Sequence, residues 1–159
     1  MHKVFLGLGS NVGNKVENIK KAISFLKKNI TDIQIAPFYI SKAVGYENQE
    51  DFINTVIKGY TNLSPIELFQ FTKEVEKKVG RVYRFHWGPR EIDIDILFFD
   101  DLVLDTENLK IPHPRLHERD FVLFPLKDLD ENFVHPVFDK TIKDLIKELK
   151  LKSIIGKLD

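Results

Sequence analysis

From Glu91 to Phe99 the chain alternates apolar and acidic side chains, and this period of two constrains the fold more tightly than any other stretch. Ile92, Ile94 and Ile96 fall on one face of an extended strand and Asp93 and Asp95 on the other, the pattern of a strand half buried in a core. Aspartate is disfavoured in strands, so two of them on one face need a reason. Such a pair comes within reach of one or two divalent cations. Magnesium in particular is held by one or two carboxylates, with phosphate and water oxygens completing its octahedron. The same pattern also fits a solvent-facing strand edge that carries charge against aggregation.

The residues before the strand favour the cation. Between Lys73 and Arg90 the basic side chains are Lys73, Lys77, Lys78, Arg81, Arg84 and Arg90, against Glu74 and Glu76, whereas Glu91 to Asn108 holds seven acidic residues and no Lys or Arg. A cationic segment running directly into an anionic one suits a polyphosphate held with its metal ions. Arg81, Arg84 and Arg90 lie in a stretch with no clean period, marked by Gly88-Pro89 as a loop that is expected to be mobile. Guanidinium forks there match phosphate oxygens and would stabilise charge developing during transfer. A solvated basic loop is the plainer alternative.

Elsewhere the pattern gives a mixture of strands and helices. Val4 to Leu8 reads as a buried strand, and Gly7-Leu-Gly9 with Ser10, Asn11 and Asn14 as a tight turn and helix cap. Ala22, Ile23, Leu26 and Ile30 recur at helical spacing, while Ile33 to Ile40 and Phe52 to Gly59 read as strands. Ser41 to Asp51, polar and glycine-containing, is expected to be an exposed loop and a candidate for binding. A helix over Pro65 to Val79 has Ser64 as N-cap, Pro65 at its first position, Glu67 closing a capping box and Gly80 past its end. Asp100-Asp101 is expected to turn a hairpin, Pro112, Pro114, Pro125 and Pro136 to break the tail around an apolar run from Phe121 to Leu126, and Thr141 to Leu149 to form an amphipathic helix. Strands and helices interleave without a strict strand-helix-strand rhythm, which predicts an α+β fold over one domain, residues 1–159.

Several function classes fall away. With no Cys there are no disulfides, thiolate zinc sites or thiol nucleophiles. Lys plus Arg equals Asp plus Glu at 24 each, so no basic field marks a nucleic-acid partner, and no apolar stretch approaches the length of a membrane span. A cytoplasmic monomer acting on small molecules is the expectation. A dinucleotide fingerprint would need a third glycine where Val12 stands, no Walker-type Gly-Lys-Ser/Thr occurs, and Pro114 between His113 and His117 argues against a zinc pair.

Phe5-Leu-Gly-Leu-Gly-Ser-Asn11, Phe52-Ile-Asn54, Gly80-Arg81, Trp87-Gly-Pro-Arg90 with Asp93-Ile-Asp95, and Ile111-Pro-His113 followed by Arg119 and Phe121 together resemble the 6-hydroxymethyl-7,8-dihydropterin pyrophosphokinases. The resemblance implies a ferredoxin-like fold, a mostly antiparallel sheet flanked by helices. It also implies magnesium-dependent transfer of diphosphate from ATP to the pterin hydroxymethyl group in folate synthesis, releasing AMP. Asp93 and Asp95 would hold two magnesium ions, with Arg81, Arg90 and Asp95 as the catalytic set. Lys73, Glu76, Arg84, Trp87, Ile96, His113 and Arg119 would join Arg81 and Arg90 at ATP. Asn54 would read the pyrimidine-like edge of the pterin, Phe52 and Phe121 would sandwich the ring, and Ser41, Lys42, Val44 and Trp87 would complete its site.

The sequence departs from the family at Phe52 for Tyr, Tyr83 for a second loop Arg, Lys73 for an amide and Pro114 for an aromatic. Arg84 stands next to the position of the missing arginine. Paired strand aspartates also serve nucleotidyltransferases, which release pyrophosphate, and the same residues could form a noncatalytic pterin- or nucleotide-binding module.

Overall fold

The computed structural model describes residues 1–43, 48–86 and 88–158. The chain runs as β1 (His2–Ser10), α1 (Lys15–Leu26), β2 (Thr31–Ile35), β3 (Tyr39–Ser41), β4 (Phe52–Thr61), α2 (Pro65–Val79) and β5 (Asp93–Phe99). There follow β6 (Leu104–Asp105), β7 (Lys110–Ile111), a 3-10 turn at Leu116–Glu118, α3 (Asp120–Asp130), α4 (Ile142–Lys147) and β8 (Ile154–Lys157). One six-stranded sheet has the order β5-β1-β4-β3-β8, with β2 also pairing β4, and every pairing is antiparallel. This is the expected antiparallel α+β architecture, with β5 brought back beside β1 in the ferredoxin-like manner. Among the described residues no helix is long and apolar enough to cross a membrane.

Alternation along the strands sorts side chains onto two faces. Val4, Leu6 and Leu8 of β1, Ile53 and Ile57 of β4, and Ile94 and Ile96 of β5 pack against the buried stripes of α1 and α2. Each fully buried Leu or Ile contributes about 1.5–3 kcal/mol relative to exposure, so this layer dominates the stability of the fold. Phe5, Val56, Leu97 and Phe98 form a second cluster with Val122, Leu123 and Leu126 of α3 and Ile142 and Leu145 of α4. The change of face between Ile96 and Phe98 comes from a register shift against Phe5 and Leu6, which turns Leu97 and Phe98 both toward α3.

The capping box of α2 forms as expected: Ser64 Oγ accepts from Glu67 N at 3.2 Å while Ser64 N donates to Glu67 Oε1 at 2.9 Å. Gly80 ends the helix at φ +114°, a left-handed conformation that glycine adopts without a Cβ penalty. Four local expectations change. Gly7 and Gly9 lie inside β1, and the turn comes later, with Gly13 at φ +72° and Asn14 as the cap of α1. Ile33 to Ile40 is two strands rather than one, because Pro37 has no N–H for a ladder. Asp100 and Asp101 turn the chain after β5, but the hairpin is β6–β7, closed by mutual hydrogen bonds between Thr106 and Leu109. Pro125 sits inside α3 instead of breaking it, its ring buried beside Val122 and Leu126, so packing outweighs the lost hydrogen bond.

Candidate active site

On the sheet face toward α3 the paired positions form rows. Asp93 of β5 lies opposite Gly9 of β1, Gly9 opposite Asn54 of β4, and Asn54 opposite Tyr39 of β3; in the next row Asp95 lies opposite Gly7 and Gly7 opposite Val56. Because neighbouring strands stand about 4.8 Å apart, the carboxylates and Asn54 are separated by two strand spacings, about 10 Å, across a strip that carries no side chains. The glycines therefore make the floor of a trough. A Cβ on Gly9 would stand 2.7 Å from Asn54 Oδ1 and 3.5 Å from the Phe52 ring. The trough belongs to an open cleft whose empty space, counted out to its solvent mouth, is about 750 Å³.

Ser41, Lys42, Phe52 and Asn54 line one end of this cleft, Asp93, Asp95 and Arg90 the other, and His113, Arg119 and Phe121 the side toward α3. A second opening of about 600 Å³ continues past Asp95 and His113, with Lys73, Ile96 and Phe69 on one wall and residues 107–110 on the other. Sequence reasoning singled out neither Phe69 nor the β6–β7 turn. Both are ordinary surface or core residues until the fold sets them beside an aspartate. Val44 and Trp87 lie outside the described residues.

The charges are arranged in depth. Arg81 Nη1 lies 3.3 Å from Asp93 Oδ1 and Arg90 Nη1 lies 3.1 Å from Asp93 Oδ2, so one guanidinium holds each carboxylate oxygen. Behind them Glu76, 3 % exposed, takes Arg81 at 2.9 Å and Lys73 at 3.4 Å on Oε1, and accepts the Ile94 N–H at 2.8 Å on Oε2. Glu76 thus fixes the β5 backbone between the two aspartates as well as the arginine in front of it. Burial pushes the Asp95 carboxyl up to about 7, the Asp93 charge adds to this, and Arg119 and Lys73 oppose it. A cation between the two aspartates would relieve both unfavourable influences.

Burial also pushes His113 down to about 4, with Arg119 acting in the same direction, so the ring is neutral at pH 7. Its Nδ1 accepts from Arg115 N at 3.2 Å, which leaves the ring proton on Nε2 as a donor. Arg84 does not line either opening. Its fork pairs with Glu91 at 2.6 and 3.1 Å, holding that carboxyl down at about 2, and it closes the loop on itself. Asn11, which the sequence offered as a cap and as the end of the first motif of the resemblance, joins two of the candidate loops. Its Nδ2 donates to Gln49 Oε1 at 2.6 Å and Glu50 O at 3.2 Å, and its Oδ1 accepts from Arg90 N at 2.8 Å.

Among the described residues no group of three or more His, Cys, Asp or Glu side chains converges as a metal cage. Two hard carboxylates beside guanidinium groups suit instead a cation that draws its remaining oxygens from a bound phosphate chain. The trough beyond, walled by Phe52 and Phe121 with Asn54 at its edge, suits a flat polar ring.

Residues 5–131 match the model of a family described as 7,8-dihydro-6-hydroxymethylpterin-pyrophosphokinase. The chain is 49% identical over 152 residues to the 2-amino-4-hydroxy-6-hydroxymethyldihydropteridine pyrophosphokinase of Aquifex aeolicus, covering 96% of this chain and 95% of that protein. It is 42% identical over 138 residues to the folic acid synthesis protein FOL1 of Dictyostelium discoideum, matching 87% of this chain but 21% of the longer protein. The HPPK-DHPS of Plasmodium falciparum, solved with SDX-DHP, superposes with a TM-score of 0.72 at 18% identity, over 93% of this chain and 43% of that one. The chain therefore spans less than half of that solved protein and about a fifth of the Dictyostelium one.

Proposed function

The chain belongs to the 7,8-dihydro-6-hydroxymethylpterin-pyrophosphokinase family, and on that premise we propose that its reaction runs in the glycine-floored cleft with magnesium as the resident cation. Membership sets the reaction class: diphosphate passes from ATP to the hydroxymethyl group of 6-hydroxymethyl-7,8-dihydropterin, giving AMP and the pterin diphosphate, in folate biosynthesis. The observation that carries the site assignment is the row Asp93–Gly9–Asn54, with the anion-handling and ring-reading groups on opposite sides of a bare strand.

In this reading the pterin lies over Gly9 with Asn54 on its pyrimidine-like edge and Phe52 and Phe121 on its faces, worth about 0.5–1.5 kcal/mol per stacked pair beyond area burial. Ser41, Lys42, Val44 and Trp87 complete its surroundings. ATP follows the second opening, with Lys73, Ile96, His113 and Arg119 along its path and Trp87 near the junction. Two magnesium ions on Asp93 and Asp95 would supply charge neutralisation between the triphosphate and the protein. Arg81 and Arg90, which now hold Asp93, would turn donors to the phosphates as these arrive, leaving the carboxylate to the cation. Glu76 holds Arg81 and the β5 backbone steady during that exchange, and Arg84 reaches the phosphates by leaving Glu91.

The hydroxymethyl oxygen then forms a bond to the β-phosphorus and gives up its proton to solvent as the bond from that phosphorus to the α,β-bridging oxygen breaks, and AMP departs with the bridging oxygen. Positioning and electrostatic stabilisation carry such a transfer, since no protein nucleophile is required. We take residues 1–159 as one pyrophosphokinase domain that works in the cytoplasm as a monomer on these small molecules, without nucleic-acid or membrane partners; the balanced charge argues against a nucleic-acid partner. The test is to mix purified protein with magnesium, ATP and 6-hydroxymethyl-7,8-dihydropterin and to separate the products by chromatography. Equal amounts of AMP and pterin diphosphate, abolished by chelating the magnesium, are expected. Turnover that survives chelation would remove the cation from the reading, and free pyrophosphate would point to nucleotidyl transfer.

A further inference from the structure

A buried carboxylate outside the catalytic charges connects two walls of the cleft. Asp120, the first residue of α3, is 3 % exposed, yet it does not cap its own helix. Its Oδ2 reaches across the chain to accept the backbone N–H of Ser153 at 2.7 Å and of Ile154 at 2.9 Å. Its Oδ1 is buried with no hydrogen-bond partner among the described residues. A carboxylate kept in such surroundings has a cost that something must offset, because unpaired buried polar atoms are rare and expensive.

The groups on either side of this contact belong to the cleft. Asp120 stands between Arg119 and Phe121, both of which line it. Ile154 pairs with Ser41, and Ser153 O accepts the Lys42 N–H at 2.9 Å. Ser41 Oγ in turn accepts from Asn54 Nδ2 at 2.7 Å, in a buried position. A single carboxylate therefore ties the segment bearing Phe121 and Arg119 to the strand end bearing Ser41 and Lys42, and through Ser41 to the amide of Asn54. Another link between the same elements runs from the Tyr39 hydroxyl to Asp128, one helix length away. It holds the far end of α3 and leaves the near end to Asp120.

We infer that Asp120 is a positioning residue that sets the width of the ring-binding part of the cleft, with residues 153–157 as the strap through which it acts. This rests on the pterin reading of that trough. Asp120 touches neither substrate in this account. It fixes how far the Phe121 ring stands from the Ser41–Lys42 strand end, and a displacement of about 1 Å there is enough to misplace a bound ring for reaction.

The experiment compares Asp120→Ala, Asp120→Asn and Ser153→Pro with the parent protein by steady-state kinetics in each substrate and by hydrogen exchange at Ile154. Asparagine keeps an oxygen that can accept both N–H groups, whereas proline at 153 deletes one donor and leaves Asp120 untouched. Asp120→Ala is expected to raise the KM for the pterin by about tenfold or more, with a smaller rise for ATP and kcat within about threefold. Asp120→Asn should restore the pterin KM to within about threefold, and Ser153→Pro should shift it in the same direction as alanine, which keeps the test open if the alanine protein does not fold. Rapid exchange at Ile154 in Asp120→Ala with an unchanged pterin KM would overturn the inference, as would an asparagine variant no better than alanine. A parent protein that forms no AMP fails the pyrophosphokinase reading itself; a parent that does so, with all three variants kinetically unchanged, fails the positioning role alone.

Discussion

The two faces of the sheet are written into the same strands and differ in almost every other respect. On the α1–α2 face, β1 contributes Val4, Leu6 and Leu8, and the layer closes as an apolar core with buried Thr72 and Glu76 of α2 at its edge. On the other face the alternate positions of β1 are Phe5, Gly7 and Gly9, and only the Phe5 end is covered, by α3 and α4. Where Phe5 gives way to Gly7 and Gly9 the packing stops and the cleft begins. The lesson is that one strand can supply full stability on one side and an open binding surface on the other, because removing side chains from one face leaves the opposite face untouched.

The comparison breaks most sharply at Asp95. Its carboxyl is raised to about 7 by burial and by Asp93, so the fold gains nothing from the charge, and Asp95→Ala is expected to leave the unfolding midpoint unchanged or higher. Turnover to AMP should fall about a thousandfold or more, measured with saturating magnesium and ATP. A clear drop in the midpoint would show that the two faces share their stability after all. Leu6→Ala is the mirror experiment. Leu6 is fully buried against α1 and α2 and lines neither opening, and truncating it is expected to cost about 2–5 kcal/mol in denaturant unfolding while kcat at low temperature stays within a few-fold. Loss of turnover in fully folded protein would mean that the packed face tunes the cleft.

Gly9→Ala sharpens the boundary between the faces. The added methyl meets Asn54 Oδ1 at 2.7 Å and has no path away from the floor, so overpacking of about 1–3 kcal/mol must be taken up by Asn54 or by whatever it binds. A rise in the pterin KM of about tenfold, with ATP little affected, is expected from initial-rate kinetics. An equal rise for both substrates would place the two ligands differently from the reading given above.

These contrasts also explain what the sequence could reveal. The alternation of β5 and the caps of α2 are local, repeated or positional, and both stand in the structure as read. The two faces of β1 were half legible: Val4 to Leu8 announced a strand, but Gly7 and Gly9 read as a turn because a glycine carries no signal of what approaches it. Pro37 and Pro125 show the limit of breaker rules, one splitting an expected strand and the other sitting inside a helix that burial holds together. In the candidate site, the aspartates and arginines were legible as a charge pattern and, with the aromatics, as a family resemblance. The contacts that position them were not, although Glu76 and Asn11 stood within the resemblance. Glu76 reaches Ile94 across 18 positions, Asp120 reaches Ser153 across 33 and Asn11 reaches Arg90 across 79, and no local pattern records such distances.

The smallest expected effect lies at the packed end of the cleft-bearing face and appears only in acid. His135 is 3 % exposed, stacked on Phe138 and edge-on to Phe98, and its Nδ1 accepts the backbone N–H of Val137 at 3.1 Å and of Phe138 at 3.2 Å. Protonating that nitrogen would oppose both bonds, and burial, with the neighbouring His117 adding to it, pushes the ring down to about 4. The unfolded ring takes up a proton near its ordinary value of about 6.5, so the unfolded state binds the proton first and stability declines as pH falls from about 6.5 to about 4, levelling below that. His113, also held at about 4, contributes a decline of the same sign over the same window. Asn at position 135 can accept the same two N–H groups through its side-chain oxygen and does not titrate. His135→Asn should therefore match the parent near pH 7 and lose about half of the histidine-dependent slope between pH 6.5 and 4, read from urea midpoints across that range. An unchanged slope would assign the whole acid decline to His113 and to the carboxylates on the open half of the face.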